Sequence, residues 1–154
     1  LQFTKEDIMR AQELVAGFEK HFDVVLGLNE KEAFEIGDVM GLGISDHSRE
    51  ELSSLALQIN RQLLIGTLVI HPVTYALAVS RGSVQVVEGP YVAKPLITTG
   101  AGDHFNAGFC LGKLLGFDNA LSVLTGVTTS GYYVRTAKSP AISDLVGLLQ
   151  DWPA

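Results

Sequence analysis

Apolar residues recur every three or four positions in the first part of the chain, which predicts amphipathic helices. The first helix follows Thr4, an N-cap residue with acidic neighbours, and carries the apolar series Ile8, Ala11, Leu14, Val15 and Phe18. The second opens at Asn29 and ends near Met40, before two glycines. Ser48 is predicted to cap a third, whose apolar stripe is Leu52, Leu55, Ile59 and Leu63.

Shorter apolar runs predict strands. Residues 22–28 and 67–70 lack polar alternation, which is typical of strands buried on both faces in parallel sheets. Residues 75–80 and 84–87 flank a glycine turn and predict a hairpin, and residues 91–97 are expected to be extended. Each of the two buried strands is expected to require parallel neighbours, so we expect this sheet to be incomplete.

Three further helices are predicted, at about 103–115, at about 119–133, and after Pro140, where the apolar residues are Leu145, Leu148 and Leu149. Strands that alternate with helices, followed by helices alone, indicate a layered α/β domain. The 154 residues are 47% hydrophobic and 18% charged, which suits one compact domain with a substantial core.

Charge and cysteine content narrow the possible partners and location. A net charge of −6 argues against binding to nucleic acid or to anionic lipid. No apolar run reaches membrane-spanning length, so no membrane association is expected. Cys110 is the single cysteine, which predicts a reducing, cytoplasmic location. It lies in an apolar stretch, on a different helical face from His104, and is expected to be buried and structural.

The segment Gly100-Ala101-Gly102-Asp103 is a tight turn that leads into a helix. Backbone amides at a helix N-terminus lack partners within the helix, and the helix dipole adds partial positive charge, so the turn favours an anion. A dinucleotide fingerprint would need glycine in place of Phe105, and the Gly-Lys-Ser/Thr of a P-loop is absent.

A carboxylate beside such a turn repels a phosphate, but it suits a hydroxyl group that is to be phosphorylated. If Asp103 faces such a hydroxyl, it would orient that group and accept its proton. The alternative is that Asp103 only caps the helix. Gly108, Gly112 and Gly116 each cost about 1 kcal/mol relative to Ala inside a helix, which predicts a face packed tightly against another element.

The run from Thr98 to Gly108, with Gly100-Ala101-Gly102-Asp103-x-Phe105, resembles the C-terminal signature of the ribokinase-like (PfkB-type) sugar kinases. Asn29-Glu30-Lys31-Glu32 is similar to the Asn-x-x-Glu motif of that family. The resemblance implies a layered α/β/α, Rossmann-like fold. Residues 1–154 would be its C-terminal, nucleotide-binding part, without the N-terminal sugar-binding part and lid, and the chain begins at Leu1 as if cut from a longer one.

The resemblance also implies an activity, the ATP-dependent phosphorylation of a hydroxyl on a sugar or related alcohol, with no turnover expected from this fragment alone. Asp103 would be the base, and the amides of Gly100, Ala101 and Gly102 would form the anion hole. Mg²⁺ with its phosphates and waters would be held by Asn29 and Glu32. The nucleotide side would comprise Thr99, His71, Thr125, Gly126 and Thr129.

Several alternatives remain open. Asn29 with Glu32 also fits a capping box that serves helix stability alone. The glycine turn of the family is replaced by residues 71–76, His-Pro-Val-Thr-Tyr-Ala, and the acidic residue that opens its signature is replaced by Ile97, so potassium activation is not expected by that route. A non-catalytic ligand-sensing or assembly module and a phosphate-binding domain of another kind are therefore the competing functions. An exposed sheet edge and apolar face lead us to expect a homodimer.

Overall fold

The structure, a computed structural model, describes residues 4–43 and 46–153. The elements follow in the order α1 (Lys5–Phe18), β1 (Val25–Leu28), α2 (Glu30–Val39), α3 (Arg49–Leu63), β2 (Thr67–Ile70), β3 (Tyr75–Ser80), β4 (Ser83–Glu88), α4 (Ala101–Leu114), α5 (Asn119–Thr136) and α6 (Ile142–Gln150). The chain divides into two compact units, the first comprising Leu1–Ile70 and Ala78–Val84 and the second His71–Leu77 and Gln85–Ala154. None of the described helices is long and apolar enough to cross a membrane.

The sheet has the strand order β1-β2-β3-β4. β1 and β2 pair in parallel, with Val25 opposite Thr67 and Leu28 opposite Ile70, so the two predicted strands are each other's neighbour. β2 is buried throughout, as predicted. The prediction for the first strand was wrong in extent and burial, since β1 begins only at Val25, which is exposed. β1 lies at the edge of the sheet, where a strand has a neighbour on one side only.

The core of the first unit is built on α3. Its predicted stripe is buried and consists of Leu52, Leu55, Ile59 and Leu63. The Glu19 carboxylate accepts hydrogen bonds from the amides of Val24 at 3.1 Å and Gly66 at 2.9 Å. Because Val24 and Gly66 immediately precede the paired strands, this one side chain ties the beginnings of β1 and β2 together.

The first helix forms as predicted, with Thr4 as its N-cap. None of its residues is buried. Leu14 and Phe18 of the predicted apolar series are 61% and 55% exposed. Ile8 and Val15 are half-buried, so the described part of the chain covers the apolar side of α1 only in part.

The predicted hairpin is confirmed as β3 and β4, joined by Arg81 and Gly82, which both have positive φ. Two successive positive φ values are typical of the tight turns that suit the twist of paired strands. Residues 91–97, predicted to be extended, form no strand. This segment is instead hydrogen-bonded to the end of α5, where the amide of Leu96 donates to the carbonyl of Val134 at 2.8 Å.

The second unit is built around α4 and α5, which pack as an antiparallel pair. Gly108 and Gly112 are buried at this contact, as their spacing predicts. A Cβ at Gly112 would lie 2.8 Å from the Cα of Ser122. Gly116 has a different role, because it has φ of 78° and open space around it. It terminates α4 in a Schellman motif, in which the amide of Phe117 donates to the carbonyl of Gly112 at 3.0 Å.

Candidate functional site

The glycine turn predicted to bind an anion lies at the N-terminus of α4. Gly100 is the N-cap and has φ of 87°, a conformation that favours glycine. The amide of Ala101 donates to the carbonyl of Thr98 at 3.1 Å, which differs from the prediction that all three turn amides face an anion. The amides of Gly100 and Gly102 have no hydrogen-bond partner among residues 4–43 and 46–153, and neither does that of Asp103. Three main-chain donors therefore remain at the helix entrance, the amides of Gly100, Gly102 and Asp103. The amide of Asp103 takes the place that was predicted for that of Ala101.

Asp103 is the third residue of α4 and its side chain is exposed. Acidic residues occupy the same position in α1, α2, α3 and α6. Those of α1, α2 and α6 accept a hydrogen bond from the backbone amide of the N-cap residue, whereas the N-cap amide of α3, that of Ser48, donates to Asp46. The bonded pairs are Asp7 with Thr4 at 3.0 Å, Glu32 with Asn29 at 2.8 Å and Asp144 with Ala141 at 2.7 Å. The pKa of Asp7 is lowered mainly by the hydrogen bond from the Thr4 backbone amide and, to a smaller extent, by the bond from the Thr4 hydroxyl.

The carboxylate of Asp103 differs from those three. It makes no hydrogen bond within the described part of the chain, and Gly100 has no side chain that could cap the helix. A purely capping role therefore lacks the bond that defines it in α1, α2 and α6. An exposed carboxylate beside three main-chain donors is an arrangement that suits phosphoryl transfer to a hydroxyl group.

His71, predicted on the nucleotide side, lies against the same turn. A Cβ built on Gly102 would lie 3.1 Å from Cε1 and 3.5 Å from Nε2 of the His71 ring. The ring also packs on Phe105, with centroids 4.9 Å apart. Glycine at position 102 therefore allows the imidazole to approach the helix entrance, although contact between His71 and a phosphate remains a prediction.

The other residues assigned to the nucleotide occupy different environments. Thr99 is exposed, and its carbonyl accepts a hydrogen bond from the hydroxyl of Tyr133 at 3.0 Å. Gly126 is buried against Phe105, and Thr129 is buried against Gly108, so both positions serve the packing of α4 on α5. Thr125 is half-buried and its hydroxyl donates to the carbonyl of Leu121. Their contact with a nucleotide stays a prediction, and the observed partners of Gly126 and Thr129 are protein atoms.

Asn29 and Glu32, the predicted magnesium residues, belong to the first unit and form a complete capping box. Asn29 Oδ1 accepts from the amide of Glu32 at 2.8 Å, and Glu32 Oε2 accepts from the amide of Asn29 at the same distance. Both side chains are exposed. Among the described residues no group of three or more His, Cys, Asp or Glu side chains is placed to hold a metal. The structure thus bears out the cap, and a magnesium role would be additional to it.

Two features of α4 were missed or misjudged from sequence. His104 contacts the turn through Nδ1, which lies 2.8 Å from the carbonyl of Gly100, and its ring stacks on Tyr133 with centroids 3.6 Å apart. The available signal was an aromatic residue, Tyr133, near the end of α5. The prediction that Cys110 is buried was wrong, because its side chain is exposed. The helix buries the face that carries Phe105, Gly108, Phe109 and Gly112, and Cys110 is not on it.

The sequence model of the prokaryotic ketohexokinase family matches residues 1–152. The chain belongs to this family. A ketohexokinase from Haloferax volcanii is 28% identical over 133 residues, which cover 86% of this chain and 34% of that protein. This member of the prokaryotic ketohexokinase family therefore spans about a third of the length of the curated relative that it matches.

Solved structures of the ribokinase family share the fold of this ketohexokinase-family chain. Ribokinase from Thermotoga maritima superposes with a TM-score of 0.71 at 19% identity, over 92% of this chain and 47% of that one. A nucleoside kinase from Methanocaldococcus jannaschii, an archaeal member of the ribokinase family, gives 0.68 at 17% identity, over 97% and 44%. The predicted ribokinase-like fold and family resemblance are confirmed, and this chain covers less than half of each neighbour.

Proposed function

We propose that the full-length protein containing this chain transfers the γ-phosphoryl group of ATP to a hydroxyl group of a ketohexose. Membership of the prokaryotic ketohexokinase family supports the substrate class. The observation that carries the proposal is the exposed carboxylate of Asp103 beside three main-chain donors at the entrance of α4. It makes no hydrogen bond within the described part of the chain, whereas the corresponding carboxylates of α1, α2 and α6 are bonded to their N-cap residues.

In the proposed reaction Asp103 orients the sugar hydroxyl and accepts its proton. The hydroxyl oxygen then forms a bond to the γ-phosphorus while the bond from phosphorus to the leaving oxygen of ADP breaks. The amides of Gly100, Gly102 and Asp103 stabilise the negative charge on the transferring group, because they are fixed donors at the positive end of a helix dipole. The amide of Ala101 has no part in this, since Thr98 accepts its hydrogen bond.

Bound Mg²⁺ would neutralise charge on the ATP phosphates. We propose that Asn29 and Glu32 support it through bound water. Their oxygen donors fit an ion that prefers oxygen ligands and usually keeps several waters. Glu32 uses Oε2 for the cap, which leaves Oε1 for a water. Thr99, His71 and Thr125 are proposed for the nucleotide side.

Substitutions at Asn29 separate the cap from the metal role. Asn29→Ala is expected to lower the free energy of unfolding by about 1 kcal/mol, since it removes the N-cap acceptor. Asn29→Ser keeps a good N-cap residue, so the free energy of unfolding should change by no more than about 0.3 kcal/mol. The Mg²⁺ concentration needed for half-maximal turnover should nevertheless rise. Urea denaturation and magnesium titrations measure the two effects. If Asn29→Ser has an unchanged magnesium requirement, Asn29 serves only as the N-cap of α2.

The function itself is tested on the full-length protein with fructose and Mg·ATP. We expect one ADP and one fructose phosphate to form per ATP consumed, and calorimetry to detect Mg·ATP binding. The altered turn at residues 71–76 favours a second candidate, a family member that has lost catalysis and serves as a sensing or assembly module. Absence of both turnover and Mg·ATP binding would favour that candidate. Binding of phosphate without ATP would indicate a phosphate-binding domain of another kind.

Four broader expectations are also proposals. Residues 1–154 would be the C-terminal part of the kinase domain, and this chain alone is expected not to turn over sugar. A homodimer is proposed because β1 lies at the edge of the sheet and the described part of the chain leaves Met9, Leu14 and Phe18 of α1 exposed. A cytoplasmic location is proposed from the single cysteine.

A further inference from the structure

Two side chains from outside the glycine turn bond to it within the second unit, and a third side chain bonds to one of them. The Tyr133 hydroxyl donates to the carbonyl of Thr99 at 3.0 Å. The ring of His104 lies between the carbonyl of Gly100, 2.8 Å from Nδ1, and the hydroxyl of Ser139, 2.9 Å from Nε2. The two rings stack with centroids 3.6 Å apart and planes inclined by 12°. We name Tyr133, His104 and Ser139 the clamp.

The clamp fixes the orientation of two successive peptide groups. In a trans peptide the carbonyl and the following amide point in opposite directions. Since Tyr133 holds the carbonyl of Thr99, the amide of Gly100 is directed away from Tyr133, and it is one of the donors without a partner among the described residues. The next peptide is held at both ends. Its carbonyl accepts from the backbone amide of His104 at 3.0 Å and also contacts Nδ1 of that residue at 2.8 Å, and its amide donates to Thr98.

The bonding pattern also fixes the tautomer that a neutral imidazole would adopt. A carbonyl oxygen only accepts, so Nδ1 of His104 must carry the hydrogen that is shared with Gly100. In the neutral ring Nε2 is then the acceptor, and the Ser139 hydroxyl donates to it. His104 therefore acts on the backbone of the turn and has no free nitrogen for a substrate.

From these contacts we infer that Tyr133 and His104, supported by Ser139, are positioning residues for phosphoryl transfer: they aim the Gly100 amide at the transferring group. This inference rests on the proposed kinase function. It predicts that loosening the clamp slows the chemical step, which depends on the direction of that amide, and leaves sugar affinity unchanged. A role in stability alone predicts no such separation.

The test uses the full-length protein, with Tyr133→Phe and His104→Ala as variants and Tyr132→Phe as the matched control. Tyr132 is the half-buried neighbour, and its hydroxyl has no partner in the described ranges. We expect Tyr133→Phe and His104→Ala to lower kcat with ATP and fructose about tenfold, in keeping with the loss of one hydrogen bond, with KM for fructose unchanged. His104→Asn, which keeps a donor near the position of Nδ1, should restore part of the rate.

A second measurement keeps this test independent of the kinase proposal. In protein labelled with ¹⁵N-glycine, the Gly100 amide resonance should move in Tyr133→Phe and His104→Ala and stay in place in Tyr132→Phe. If the wild-type protein transfers no phosphoryl group, the kinase proposal fails. The glycine spectra alone then show whether Tyr133 and His104 orient the Gly100 amide. An unmoved Gly100 resonance, or an unchanged kcat in an active protein, overturns the inference. Should either variant misfold, Ser139→Ala replaces it, because Ser139 is exposed.

Discussion

Asp103→Asn is expected to lower kcat for ATP-dependent sugar phosphorylation by about 10²–10⁴-fold in the full-length protein, the usual contribution of a general base. An amide has nearly the same shape as a carboxylate, but it cannot accept the proton of the sugar hydroxyl. Mg·ATP binding should persist, since the carboxylate is not needed to hold phosphate. Steady-state kinetics and calorimetry measure the two effects separately.

Asp144→Asn is the matched control, because Asp144 occupies the same position in α6 as Asp103 in α4 and is bonded to the N-cap amide there. It should alter stability slightly and leave kcat unchanged. If Asp103→Asn retained full turnover, the assignment of Asp103 as the base would be wrong. Equal losses in both variants would indicate a helix-capping effect and would also contradict it.

Gly108→Ala is expected to lower the free energy of unfolding by up to about 2 kcal/mol. An overpacking cost of up to about 3 kcal/mol is offset by a gain of about 1 kcal/mol in helix propensity. A Cβ at this position would lie 2.7 Å from the carbonyl oxygen of Thr125 and would also meet the side chain of Thr129. The carbonyl belongs to the backbone of α5, so it cannot move aside without displacing the helix. Urea denaturation followed by circular dichroism measures the change.

Gly147→Ala, in the same unit, is expected to have the opposite effect on stability. Gly147 lies inside α6 with nothing within 4 Å of the position that a Cβ would take. This substitution should therefore raise the free energy of unfolding by up to about 1 kcal/mol. If both alanine variants were stabilised, the close approach of α4 and α5 at Gly108 would be refuted.

Local chemistry made much of the fold predictable. Thr4, Asn29 and Ser48 were predicted to cap helices, and the structure has helices that begin after each of them, since a capping side chain acts within three residues of itself. The glycine turn at the start of α4 was predictable for the same reason. Parallel neighbours were also expected for the apolar runs that became β1 and β2, but the pairing of these two strands with each other was not predicted.

Contacts between distant parts of the chain were not predictable. The bonds from Tyr133 to Thr99 and from His104 to Ser139 join residues 34 and 35 positions apart, and no spacing rule reaches so far. Burial was misjudged where a neighbouring element decides it. Val25 is apolar but lies in the edge strand, and Cys110 lies in an apolar run whose buried face is set by the contact with α5.

The outward position of Cys110 has a practical use. It is the only cysteine of this chain and lies seven residues after Asp103 in the same helix. At 1.5 Å per residue the two positions are separated by about 10 Å along the helix axis. A maleimide dye attached there would sit two turns from the helix entrance, so a change in its fluorescence would give a direct signal when a nucleotide or sugar arrives, with no engineered attachment point in this chain.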